Sequence, residues 1–176
     1  IACTAKTTPS YPPEDVLLWP KPQQQTYTAQ QYRVVADGFR FDAPQLGLVD
    51  TGVMGHGRHH ANRRRLDATL THAQSVLAQA FGRYRAICFP ATSTVAPAPL
   101  DGTLPLVEGL EVTVTNATAP LTIGVSEKYT LTITQGNASL VADSVYGALR
   151  GLETFSQLVQ PDLTIRQGVV TDWPRC

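Results

Sequence analysis

Apolar residues recur along this chain with two different periods, and the switches between them divide it into elements. From Thr26 to Pro44, TYTAQQYRVVADGFRFDAP alternates well enough to predict two short strands with Asp37-Gly38 as the turn. The spacing then changes to three and four: Leu66, Leu70, Ala73, Leu77, Ala80, Phe81 and Tyr84 share one face of an amphipathic helix. Alternation returns in LEVTVTN, where Leu110, Val112 and Val114 oppose Glu111, Thr113 and Thr115. KYTLTITQGNASLVA reads as a hairpin turning at Gln135-Gly136-Asn137. A second helix follows over VYGALRGLETFSQLV, with Asp143 or Ser144 as its N-cap and Pro161 as its stop. LTIRQGVVTDWPRC closes the chain as two short strands about Gln167-Gly168. The order β-β-α-β-β-β-α-β-β predicts an α+β fold, a single mainly antiparallel β-sheet with two α-helices packed on one face.

The remaining stretches are not periodic. Residues 1–16 are rich in Pro and Thr and read as an extended N-terminal segment, which leaves 17–176 as the folded domain. Two prolines beside Lys21 extend LLWPKPQ, with Trp19 expected to anchor it on the domain. Pro90–Pro105 is a loop by composition.

Composition narrows the classes. With 176 residues, 43% hydrophobic and 16% charged, the chain can bury one core. Lys plus Arg equals Asp plus Glu, 14 against 14, so no global field recruits nucleic acid or an anionic membrane. No apolar run reaches the ~18–20 residues of a membrane span. Asn116-Ala117-Thr118 and Asn137-Ala138-Ser139 are N-glycosylation sequons. Together they point to a secreted, extracellular or lysosomal protein. Cys3, Cys88 and Cys176 allow one internal disulfide and leave one thiol over.

Chemistry is sparse. GHGRHHANRRR holds His56, His59 and His60, but Gly55 and Gly57 oppose a helix there and no carboxylate or cysteine completes a metal site. An exposed loop is the simpler reading, and Arg63, Arg64 and Arg65 belong with it. No G-x-S-x-G elbow, glycine-rich phosphate loop or H-E-x-x-H occurs. Glu153 and Asp143 share no helix face, and Glu153 reads as an i,i+3 partner of Arg150. The residues therefore predict no catalytic, cofactor-binding or metal-binding group. Gly147 and Gly151 lie i,i+4 in the second helix, which fits a backbone approaching a neighbouring layer closely. With Glu153 they mark a packing helix.

That helix also carries a resemblance. DSVYGALRGLETFSQLV resembles the signature helix of the N-terminal, non-catalytic domain of family 20 glycoside hydrolases, the β-N-acetylhexosaminidases. LLWPKPQ, QAFGRY (Gln79–Tyr84), EKYTLTI and VVTDWPR match further in the same order, spanning residues 17 to 175. The resemblance implies a sheet covered by two helices, preceding a (β/α)8 barrel that releases terminal N-acetylglucosamine or N-acetylgalactosamine with retention. It places the Asp-Glu pair, the substrate tryptophans and the sugar-binding arginine in the barrel; Arg175 is not that arginine. The implied partners are the barrel, in the same protein or another chain, and glycans. Tyr146 stands where the family usually has Trp, and Cys176 where it usually has Phe. Cys3 and Cys88 do not map onto the disulfide of animal members, so the Cys3–Cys88 pair stays open, as does a Cys176 bridge to another chain. Two roles follow: a structural domain supporting the barrel, or a stand-alone secreted interaction module derived from it.

Overall fold

The computed structural model describes residues 18–49, 71–92, 94–99, 102–120 and 122–174. Six strands form one sheet: β1 (Gln24–Val34), β2 (Arg40–Asp42), β3 (Leu106–Asn116), β4 (Tyr129–Ile133), β5 (Gly136–Ser144) and β6 (Thr164–Asp172). The described residues also form two helices, α1 (His72–Cys88) and α2 (Val145–Leu158), and a 3-10 turn at Pro44–Leu46. The strand order is β1-β6-β4-β5-β3-β2. Antiparallel pairs join β1 to β6, β6 to β4 and β4 to β5, whereas β3 runs parallel to each of its neighbours. The fold is α+β, and more of its paired positions are antiparallel than parallel.

Alternation decides what each strand buries. Val112 and Val114 of β3, Leu131 and Ile133 of β4, and Leu140 and Ala142 of β5 enter the core. Glu111, Ser139 and Val141, each next to one of these in sequence, are exposed. The helices cover the apolar face, α2 above β5 and β4, and α1 beside α2. Side chains in and just before β2 hold them together. Phe41 stacks on Phe81 of α1 with centroids 5.7 Å apart, while Phe39 stacks on Phe155 of α2 at 5.8 Å. Such pairs add about 0.5–1.5 kcal/mol beyond area burial.

Three elements differ from the pattern-based expectation, each for a local reason. Gly38 turns with φ +79, but β1 and β2 do not pair with each other. Arg33–Val34 and then Arg40–Asp42 lie parallel along β3 instead, so the turn is a detour between two segments of one edge. The closing segment is one strand rather than two. Gly168 lies inside the β1–β6 ladder, where a Cβ would stand 2.4 Å from Tyr27 Cδ1 and 2.5 Å from Thr26 O. Glycine there permits a close approach of backbone and ring, not a turn. Finally, α1 starts later than Leu66 and Leu70 suggest. Thr71 accepts from the Gln74 amide and the Gln74 side chain accepts from the Thr71 amide, a reciprocal cap that begins the helix at His72. Leu66 and Leu70 lie outside the described residues.

Candidate functional site

The packing residues singled out in sequence, Gly147, Gly151 and Glu153, lie on α2. Ser144 caps it, its hydroxyl accepting from the Gly147 amide at 3.3 Å; Asp143 does not take that role. The helix ends at Leu158, three positions before Pro161, with the Val159 amide closing on Phe155 O. Both glycines face the sheet. A Cβ at Gly147 would stand 2.6 Å from the Lys128 carbonyl oxygen, and one at Gly151 would stand 2.2 Å from Leu140 Cδ1. The helix backbone therefore lies on β5 and on the lead-in to β4 at a distance that only glycine permits. Below it, Tyr129 Oη and Thr154 Oγ1 share a buried hydrogen bond of 2.6 Å.

Glu153 is exposed, and its partner is not Arg150. Tyr84 of α1 donates to Glu153 Oε2 at 2.8 Å, bridging the two helices. Burial and the Glu153 carboxylate push the Tyr84 phenol up to about 12. Arg150 turns the other way and pairs with Glu127 Oε2 at 2.9 Å, outside the helix. The i,i+3 spacing permits an Arg150–Glu153 contact on a bare helix, but both ends find partners on neighbouring elements. Periodicity within one helix carries no signal of such partners.

Trp19 also differs from expectation. The residue is 83% exposed, so burial of its ring is not what anchors the segment. The chain is held there by Gln157, which accepts from the Trp19 amide and donates to the Trp19 carbonyl, both at 2.8 Å. Leu18 and Pro22, on either side, are the buried residues.

Asn116 and Asn137 are both exposed, at opposite ends of the β3–β5 ladder. Cys88 is a buried free thiol, and burial pushes it up to about 12. Cys3, Cys176, His56, His59, His60, Arg63, Arg64, Arg65 and Arg175 lie outside the described residues. Among the described residues no three His, Cys, Asp or Glu side chains cluster in a way that would hold a metal ion. None of the described helices is long and apolar enough to cross a membrane. The arrangement joins two helices to a sheet by shape and hydrogen bonds, and among the described helical residues the single carboxylate, Glu153, accepts from a tyrosine.

Comparison with known proteins gives the lineage of this architecture. A family model described as beta-acetyl hexosaminidase like matches residues 18–158, so the chain belongs to that family, as an N-terminal domain of the glycoside hydrolase family 20 type. Among curated relatives, the alpha subunit of rat beta-hexosaminidase is 33% identical over 166 residues, covering 90% of this chain and 27% of the relative. The human beta-hexosaminidase subunit beta is 49% identical over 57 residues, 30% of this chain and 10% of the relative. Among solved structures, a Flavobacterium johnsoniae chitobiase superposes with a TM-score of 0.48 at 20% identity, covering 90% of this chain and 21% of that one. The chain thus spans about a quarter of the length of the relatives it matches most extensively.

Proposed function

We propose that this chain is the non-catalytic supporting domain of a β-N-acetylhexosaminidase that releases terminal N-acetylglucosamine or N-acetylgalactosamine. The catalytic residues then belong to a (β/α)8 barrel outside these 176 residues, and this domain packs against that barrel and stabilises it. Two observations together carry the reading: the family match takes in both helices and five of the six described strands, and the chain's 166-residue match to the rat alpha subunit covers only 27% of that relative. Glu153 fits this reading as a structural group, since it accepts from Tyr84 and so links the two helices. The exposed sequon asparagines support passage through the secretory route and a glycoprotein product, extracellular or lysosomal.

The test is the intact mass of the native, deglycosylated protein together with its activity on a chromogenic N-acetylglucosaminide. The expected product is several times longer than 176 residues and active, while residues 1–176 alone are inactive. A native product ending at Cys176, inactive and bound to no barrel-bearing chain, overturns the proposal and leaves the stand-alone module.

A further inference from the structure

The two sequons sit in different surroundings. Asn137 lies at the start of β5 on the open face of the sheet. Asn116 ends β3 in a tight turn, where its Oδ1 accepts from the Thr118 amide at 3.2 Å and from Thr118 Oγ1 at 3.1 Å. That turn fixes the carboxamide through its oxygen. Its Nδ2 has no polypeptide partner among the described residues. Beside it runs an open groove of about 460 Å³, lined by Asn116, Pro120, Ile123, Gly124, Ser126 and Asp143. The groove wall is ordered by its own bonds: Ser126 Oγ donates to Asp143 Oδ2 at 2.7 Å, and the Val125 amide closes a turn on Thr122 O at 3.1 Å. Ile123 stands there with its side chain fully exposed, the most exposed large hydrophobic residue described.

We propose that Asn116 carries an N-linked glycan whose first N-acetylglucosamine seats in this groove and covers Ile123. The proposal deepens the secretory reading above and rests on it. In the transfer, Asn116 Nδ2 forms a bond to C1 of an activated oligosaccharide, loses one proton and displaces the donor's lipid diphosphate. Oδ1 takes no part, so both hydrogen bonds from Thr118 survive the modification. The sugar is then held at its root by a fixed amide, and its apolar ring face meets Pro120 and Ile123, aliphatic surface otherwise left to water. Asn137 has no such groove among those described, and its glycan extends into solvent from the sheet face.

The full-length protein secreted from a eukaryotic host supplies the test, with peptide mapping for occupancy and hydrogen exchange for the groove. Asn116 is expected to be occupied. Trimming to a single N-acetylglucosamine should leave exchange of residues 122–126 unchanged, and complete removal, or Asn116→Gln, should raise it severalfold. Asn137→Gln should leave that segment as it was. An unmodified Asn116 in the secreted protein, or exchange at 122–126 indifferent to complete deglycosylation, overturns the proposal. Glycosaminidase activity measured on the same samples reports separately on the proposed function: its loss with an occupied, protected Asn116 sinks the functional reading and spares this one.

Discussion

The two helices pack on the same sheet and meet each other, yet they are attached by different physics. α2 lies on its strands through the absence of side chains: Gly147 and Gly151 bring backbone against the Lys128 carbonyl and the Leu140 methyls. α1 is attached by large side chains and protonated groups: Phe81 stacks on Phe41, the Tyr84 phenol reaches across to Glu153, and Cys88 is buried at its end. A helix attached by shape tolerates no added volume, whereas a helix attached by buried acidic protons is sensitive to their loss. The first kind leaves a mark in the sequence, because each glycine in a helix interior costs about 1 kcal/mol and must be offset by something. The second kind leaves almost none.

The largest effects should therefore come from adding volume to α2. Gly151→Leu places four carbons where Leu140 already stands, and should lower stability by about 3 kcal/mol or more, beyond the ordinary range of overpacking. Gly147→Ala is the sharper experiment. In an exposed helix that change stabilises by up to about 1 kcal/mol. Here the new methyl meets the Lys128 carbonyl at 2.6 Å, a backbone atom that cannot swing aside, so the sign should reverse. Chemical denaturation of the two variants measures both. A Gly147→Ala protein as stable as the parent would show that the close approach of α2 is not what holds it.

Alkaline pH should act next, and chiefly on α1. Cys88 is raised from 9.0 to about 12 and Tyr84 from 10.0 to about 12, each mainly by burial. Burial also raises Tyr129, under α2, though its bond with Thr154 opposes the rise. The sign follows from proton counting. Between about pH 9 and 12 the unfolded chain has released protons that the folded chain still holds, so unfolding stability falls as pH rises. The contribution is fully present below pH 9 and disappears as pH passes through the folded values. Urea midpoints should decline steadily above about pH 9 in the parent protein. Cys88→Ala combined with Tyr84→Phe should flatten most of that decline and leave the remainder to Tyr129. A parent midpoint that is level from pH 8 to 11 would refute the account.

The same division explains how far the residues alone could carry the fold. Alternation found the buried face of β3, β4 and β5 because each strand has one wet side, and the glycine spacing marked the face α2 turns to the sheet. The open turn at Gly38 and the closed ladder at Gly168 look alike in sequence, since glycine serves both as a φ > 0 hinge and as room for a neighbouring ring. Only the partner strand tells them apart. The site behaved similarly. Glu153 was legible as an unusual polar residue on a packing helix, but its partner Tyr84 lies 69 residues away and that of Arg150 lies 23 residues away. Gln157, which clamps the Trp19 backbone from 138 residues off, gave no sign at all. Partners across elements come from topology, which local periodicity does not encode.

The smallest expected effect belongs to the remaining charged link on α2, the pair of Arg150 and Glu127. It looks strong, with Nε and Oε2 only 2.9 Å apart, but the Arg150 side chain is 67% exposed. In that setting water and salt screen the attraction, and two long side chains lose rotamer freedom to maintain it. Arg150→Ala should therefore change stability by about 0.2–1 kcal/mol at low salt, shrinking further as ionic strength rises. Glu127 leads into β4 directly beneath Gly147, so a larger loss would mean that the pair positions the backbone against which α2 rests. Comparing Arg150→Ala in the parent and in a Gly147→Ala background separates the two cases. Additive effects confine the pair to the surface, and a coupling well above 0.5 kcal/mol would make it part of the glycine contact.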